Sequence, residues 1–362
     1  MKIIANTCIF ANMADKITIF DVARKAGVSK GTVDRVLHNR GEVSRKSAEK
    51  VRKAISDLGY EPNIYASLLA TRNAFVIACL IPEFSRGDYW SLVNDGFIQA
   101  GDQVRSLNVR VRVFYYNQYD PESFRDACSA LWAERPSGVI MAPLFKADTE
   151  AFARRLSAAG IPFIYVDDRV GDGYLAYLGM PRYDSGRLCA ALLTERAVAD
   201  DLRDVAIVRI NRDKFGQSDP SAERRSGFMD FMSANFPGCA VSTVFINPSD
   251  PVEAKAELEA FFSQRPDVRN VVMFNSRVYL LGEYLKAHPQ EDRRVIGYDN
   301  LERNLELLRD GHVTCLISEK AESQSRKALE LLADYILMRK QPSKRDNFLH
   351  MDILTRFNID NY

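Results

Sequence analysis

The stretch ITIFDVARKAGVSKGTVDRVL, Ile17 to Leu37, reads as two short helices joined by a tight turn. Thr18 with Asp21 three residues on forms a capping-box-like helix start. Val22, Ala23 and Ala26 then share one face at helical spacing. Gly27 follows directly, where a left-handed residue ends a helix at little steric cost. Ser29 can cap a second helix that carries Lys30, Gly31, Thr32, Asp34 and Arg35 outward, with Val33, Val36 and Leu37 inward. A helix, a Gly-containing turn and a second polar-faced helix is the helix-turn-helix arrangement. Periodicity alone leaves an ordinary helical hairpin as the alternative.

The pattern continues past a loop at Asn39 to Val43. Ser44 caps a third helix whose Ala48, Val51, Ala54, Ile55 and Leu58 form one apolar stripe, and this stripe is expected to close a small three-helix core. Gly59 ends that helix and Pro62 bars its continuation. With these residues in place, DVARKAGVSKGTVDRVL followed by VSRKSAEKVRKAISDLGYEPN closely resembles the DNA-binding headpiece of the LacI/GalR family of bacterial transcription regulators.

The resemblance implies a set of DNA contacts. Lys30 and Gly31 occupy the family's two variable base-reading positions, and Arg35 matches a third that could bond guanine bidentately. Gly31 departs from the family in offering no side chain. Asp34 departs in placing a carboxylate where a small hydroxyl residue commonly touches phosphate. Thr18, Ser29, Thr32, His38, Ser44 and Lys46 are further phosphate or groove candidates, although Thr18, Ser29 and Ser44 are needed as caps in any case. In the family, the segment from Asn63 to Asn73 is a hinge helix. There Leu69 aligns with the residue that wedges into the minor groove, and Ala66 with the close-packed position of the hinge pair. A plain interdomain linker is the composition-based alternative.

Charge distribution agrees with a nucleic-acid contact at one end. The chain of 362 residues has a net charge of +1, yet Lys16 to Arg72 holds 12 Lys/Arg against 6 Asp/Glu. Its 46% hydrophobic and 27% charged content describes a soluble globular protein. The six cysteines form no CxxC pair and the four histidines are scattered, so neither a disulfide framework nor a metal site is indicated, and a reducing cytoplasm is expected. No apolar run approaches the ~20 residues of a membrane helix. Residues 1–15 are expected to be a disordered leader, with Met13 as an alternative start; the head spans 16–61 and the hinge 62–73.

From Ala74 the chain alternates apolar strand-like runs with helical segments. FVIACLIP, VRVRVFYY, GVIMAPL, FIYVDD, DVAIVRI, VSTVFI, NVVMF, RRVIGYD and VTCLIS read as buried strands. Such alternation implies parallel sheets with helices on both faces, and residues 74–362 exceed one comfortable core, so two α/β lobes are expected. This half resembles the type I periplasmic-binding-protein fold, the effector-binding core of the same family. The resemblance implies three crossings between lobes, placed near 180–200, 300 and 320–345, with helix 321–339 returning to the first lobe. The terminal MDILTRFNI reads as strand-like, and a tetramerising coiled coil is not expected.

Open α/β lobes bind ligands at the carboxyl ends of their strands. Tyr89 and Trp90 follow the first strand and resemble paired aromatics that stack on sugar rings, with core packing as their alternative. Asp167, Asp168 and Arg169 end FIYVDD, where sugar binders carry an Asp-Arg pair. Arg224 begins an RxxGF motif, Asn275 and Asp299 match strand-end polar positions of the second lobe, and Glu319 stands where sugar binders often have Gln. Aromatic faces with Asp, Asn and Arg forks suit a polyol, so a sugar or sugar derivative is the expected effector.

No GxSxG, P-loop, GxGxxG after the first strand or metal-spaced cluster is present, so no catalytic site, cofactor or metal is expected. The expectation is a dimeric transcription factor of repressor type that binds operator DNA through its head and a carbohydrate through its core, with no membrane partner. A sugar solute-binding protein, and a regulator whose cleft is vestigial or holds a protein, are the rivals.

Overall fold

The computed structural model describes residues 17–37, 41, 43–60, 74–195, 202–210, 219, 221–290 and 292–361. The leader 1–15, His38 and the hinge stretch with Asn63, Ala66 and Leu69 therefore lie outside the described residues. The chain divides into two compact units, Met1–Thr71 and Arg72–Tyr362.

The first unit holds α1 (Ile19–Ala26), α2 (Lys30–Leu37) and α3 (Arg45–Leu58). The Thr18 amide and hydroxyl both donate to the Asp21 carboxylate, at 3.0 and 2.7 Å, and fix the start of α1. Gly27 at φ 65° and Gly59 at φ 59° terminate α1 and α3 in the left-handed region. Ser29 Oγ accepts from the Thr32 amide and Ser44 Oγ from the Ser47 amide, each at 3.2 Å. Val22, Ala23, Ala26, Val33, Val51 and Ala54 are buried together, and Tyr60 joins them. Tyr60 covers this core just after the Gly59 turn.

The second unit has two lobes. The first is a six-stranded sheet in the order β11-β5-β4-β3-β1-β2, built from β1 (Phe75–Pro82), β2 (Val109–Tyr116), β3 (Gly138–Met141), β4 (Phe163–Val166), β5 (Ala176–Gly179) and β11 (Asp346–Phe348). It carries α4 (Tyr89–Arg105), α5 (Pro121–Ala133), α6 (Lys146–Ala158) and α12 (Ala321–Met338). The second sheet, in the order β12-β10-β9-β8-β6-β7, is built from β6 (Asp204–Ile210), β7 (Ala240–Ile246), β8 (Asn270–Met273), β9 (Arg294–Tyr298), β10 (Cys315–Ser318) and β12 (Asp352–Leu354). Its helices are α7 (Arg182–Thr194), α8 (Ala222–Asn235), α9 (Pro251–Gln264), α10 (Val278–Ala287) and α11 (Glu302–Arg309). Every neighbouring pair is parallel except β10 with β12. β1, β3 and β4, like β8 and β10, are buried on both faces along most of their length, as parallel strands covered by helices should be.

The two lobes repeat one plan. Each reverses its strand order at its first strand, which puts the switch point between β1 and β3 in one lobe and between β6 and β8 in the other. Each fourth strand ends in an aspartate at φ 67°, Asp167 after β4 and Asp299 after β9. Their amides donate to the adjacent strand in the same way, Asp167 to Leu178 O at 3.1 Å and Asp299 to Ile317 O at 3.0 Å.

The chain crosses between lobes at 180–181, 319–320 and 349–351, and α12 returns to the first lobe, as expected. The crossing expected near 300 is not there. Asp299 is followed by α11 and β10, which stay in the second lobe, and the last crossing lies beyond 345. That crossing runs through the short segment between β11 and β12, which carries no helix-strand alternation to mark it. The strand-like terminus likewise shortens to β12, because Thr355–Asn358 folds into a turn closed by the Asn358 side chain on the Thr355 amide at 2.7 Å.

Candidate functional site

In the head, Lys30, Gly31 and Arg35 are exposed along α2, while Thr32 and Asp34 are half-buried. Thr18, Ser29, Ser44 and Lys46 are exposed as well. The Lys30 ammonium sits 4.9 Å from the centre of the Phe20 ring, itself 59% exposed, so α1 steadies the first base-reading candidate by a cation–π contact. Phe20 is a neighbour that the apolar-periodicity reading passed over.

In the core, a cavity enclosing about 680 Å³ of unfilled space, part of it open to solvent, lies where the carboxyl ends of the two sheets face each other. Seven sequence candidates line it: Tyr89, Trp90, Asp167, Arg224, Asn275, Asp299 and Glu319. Asp88, Gln118, Leu144, Ser276, Arg277 and Leu301 line it too and were not picked out from the sequence. Each follows a strand, so their common signal was position after a carboxyl end rather than residue type.

Asp168 and Arg169 do not line the cavity, which corrects the expectation for them. The chain leaves the extended conformation at Asp167, whose φ is 67°, and the two residues after it take partners outside the cavity lining. The Asp168 carboxylate turns to Arg182 at 3.0 Å. Arg169 pairs with Asp346 at 3.0 Å and lies over the rings of Tyr177 and Phe348, at 4.7 and 5.7 Å.

Arg182 is a residue that sequence reasoning missed. It stands at the first lobe crossing, where β5 itself had gone unread. Its guanidinium donates to the Asp167 carbonyl at 2.7 Å and pairs with the Asp167 carboxylate at 3.2 Å. Burial opposes its charge, but Asp167 and Asp168 raise its pKa well above the ordinary value and keep it a cation. Asp167 also accepts from the Tyr89 hydroxyl at 3.2 Å, and its amide donates to Gln324 Oε1 at 3.2 Å.

Across the cavity, Arg224 at the start of α8 is held on several sides. It donates to the Phe274 carbonyl at 2.8 Å, pairs with Glu319 and lies 4.6 Å from the Tyr298 ring centre. Burial pushes the Glu319 carboxyl up while Arg224 draws it down. The Asp299 carboxyl is raised well above the usual carboxylate range, first by burial and then by the Glu319 charge beside it. Among the described residues, Glu319 Oε2 and Arg224 Nε are buried without a hydrogen-bond partner. Asn275, which lines the cavity, accepts at Oδ1 from the Arg277 amide at 2.9 Å, so its NH₂ is the group able to donate. The Tyr89 and Trp90 rings meet edge to face at 5.0 Å, and Trp90 is 8% exposed, so it packs in the first-lobe core while touching the cavity.

The positions of both arginines depend on close helix contact. Gly186 of α7 and Gly227 of α8 let the two backbones touch, since a Cβ on Gly186 would overlap the Arg224 carbonyl and one on Gly227 the Tyr183 carbonyl.

Comparison with known proteins gives two family matches. Residues 18–63 match the model for bacterial regulatory proteins of the lacI family, and residues 77–340 match the model for a periplasmic binding protein domain. The HTH-type transcriptional regulator GntR of Pseudomonas aeruginosa is 30% identical over 185 residues, covering 49% of this chain and 50% of the relative. DegA of Bacillus subtilis, likewise an HTH-type transcriptional regulator, is 32% identical over 127 residues, 35% of this chain and 36% of the relative. The chain thus spans half or less of the length of these curated relatives. A Bacteroides fragilis protein assigned as a LacI transcriptional regulator has a solved structure 33% identical in sequence, with TM-score 0.76, covering 80% of this chain and 100% of that one. An Agrobacterium radiobacter carbohydrate-transporter solute-binding protein in complex with D-arabinose shares the fold at 18% identity and TM-score 0.68, covering 80% and 97%. The chain belongs to the LacI family of bacterial regulatory proteins.

Proposed function

We propose that this chain is a sequence-specific DNA-binding transcription regulator of repressor type, acting as a homodimer. Its operator affinity would be set by a sugar or sugar derivative bound between the lobes of its core. The observation that carries the reading is the capped α1–turn–α2 pair with Lys30, Gly31 and Arg35 exposed along α2, in a chain of this family. Exposed side chains near the start of such a helix read base edges, while Lys46, Ser29 and Ser44 suit phosphate contacts.

The effector half of the reading is supported by the cavity. Aromatic rings, carboxyl groups, an amide NH₂ and guanidinium groups give an alternation of donors and acceptors that hydroxyls of a polyol satisfy. A buried charge network is what a soluble ligand with many hydroxyls can enter without leaving polar groups unpaired.

Selection of genomic fragments on the full chain, with and without a monosaccharide panel, tests the proposal. Enrichment of a pseudo-palindromic site whose affinity falls steeply with salt is expected. Recovery of no preferred sequence under any of these conditions rejects it. Lys30→Ala and Arg35→Ala are expected to change base preference, whereas Lys46→Ala should weaken all sequences alike.

A further inference from the structure

Among the described residues, both buried arginines of the site are answered by carboxylates. Arg182 is answered by Asp167 and Asp168, and Arg224 by Glu319. Asp88 caps its own turn by accepting from the Ser85 amide at 2.9 Å. Arg277 is different. It lines the cavity from the loop after β8, half-buried, and no carboxylate among the described residues stands within ion-pair distance of it. Its guanidinium makes one hydrogen bond among the described residues, to the Tyr119 hydroxyl of the first lobe at 3.4 Å. A phenol orients a guanidinium but does not neutralise it. The same loop presents the Asn275 NH₂, a second donor, and the Asn275 carbonyl oxygen is already taken by the Arg277 amide. This corner of the cavity therefore offers donors and one unanswered positive charge, whereas the wall at Asp88 and Asp167 offers acceptors.

We propose that the effector is an acidic sugar, a monosaccharide bearing one carboxylate, and that Arg277 reads the carboxylate while the acidic side of the cavity reads hydroxyls. This inference rests on the carbohydrate reading of the cavity given above. A planar carboxylate matches the guanidinium fork bidentately, and closing the lobes on a cation that no described carboxylate answers costs less when the ligand brings its counter-charge. A single carboxylate suits the site better than a phosphate, whose second negative charge would face Asp88, Asp167 and Glu319 in the same cavity.

Calorimetric titration of the full chain with matched pairs tests this, using glucuronate against glucose, galacturonate against galactose, and glucose 6-phosphate alongside. The acidic member of at least one pair is expected to bind about tenfold or more tightly than its neutral parent, in line with one charge-assisted fork. Raising the ionic strength should narrow that ratio. Arg277→Gln should collapse the ratio toward one, and Arg277→Lys should retain part of it, since charge survives without the fork. The wild-type ratio is decisive even if Arg277→Gln folds poorly. Neutral aldoses that bind as tightly as their uronates in both pairs overturn the inference and leave the carbohydrate reading standing. Tighter binding of glucose 6-phosphate than of either uronate overturns the choice of carboxylate. Binding of no member of the panel overturns the carbohydrate reading, and the inference with it.

Discussion

At the scale of single residues, the cavity trades stability for readiness. Asp299 is buried at φ 67° with its carboxyl pKa raised well above the ordinary 3.8 by burial and by Glu319. A folded chain that keeps a proton the unfolded chain has already released loses stability as pH rises above about 3.8, up to the folded value. Each unit of upward shift corresponds to about 1.4 kcal/mol at neutral pH. Asp299→Asn is isosteric, tolerates the left-handed backbone and keeps an oxygen for the Glu319 amide, 3.4 Å away in the native chain. It should therefore raise the melting temperature at pH 7 by a few degrees, with the gain vanishing toward pH 4, while weakening effector binding. Thermal melts of both proteins across pH 4 to pH 8 check this; a variant less stable at pH 7 than the native chain would show that the carboxylate is not under strain.

At the scale of elements, two glycines in helices should behave oppositely, because one has room and the other does not. A Cβ at Gly31 would meet only Ser29 Oγ, at 3.7 Å. Gly31→Ala should thus stabilise α2 by about 0.5–1 kcal/mol through helix propensity. If the bare backbone permits close approach to DNA, the same change should reduce operator affinity, and band-shift titration will read it. At Gly227 a Cβ would overlap the Tyr183 carbonyl of α7, so Gly227→Ala must push the two helices apart at a cost of roughly 1–3 kcal/mol or more. Because Arg224 begins the same helix, that variant should lose effector affinity beyond its loss of stability. An effector titration on folded protein separates the two effects.

These elements also show how far the sequence could be read. The caps at Thr18, Ser29 and Ser44, the turn at Gly27 and the long apolar strands were legible because each is local: a side chain and its partner lie within a few residues. Much of the second-unit cavity was legible for a related reason, since Asp167, Asn275, Asp299 and Glu319 directly follow apolar runs. β5 was not. It has four residues, follows a Gly171–Gly173 turn and carries no periodicity of its own. With β5 unread, its successor Arg182 had no strand end to mark it. Arg277 escaped for another reason: its interest lies in having no carboxylate partner among the described residues, which depends on three-dimensional placement alone. Asp168 and Arg169 were drawn in by sequence adjacency, and their partners Arg182 and Asp346 are contacts from elements distant in sequence.

At the scale of the whole molecule, the two repeated lobes place half of the binding groups on each side of three covalent crossings. A ligand that bridges them changes the cost of opening and closing, and it can alter DNA binding only by its difference in affinity for the two lobe arrangements. The native ion pairs bias that equilibrium before any ligand arrives. Arg182 begins second-lobe α7 but is bound to Asp167 and Asp168 at the end of first-lobe β4, and Arg277 reaches Tyr119 in the same sense. Operator and effector should therefore be linked by a coupling factor of about 5–150, and thermodynamics requires the factor to be the same in both directions. Operator affinity measured with saturating effector, and effector affinity measured with saturating operator, at one fixed salt concentration, should shift by equal ratios. Arg182→Gln leaves Asp167 and Asp168 without their cation and loosens the tie across the first crossing, so it should change the coupling factor as well as cost about 3–5 kcal/mol of stability. Effector affinity that is indifferent to operator, in a chain that binds both, would mean that the cavity does not control the head.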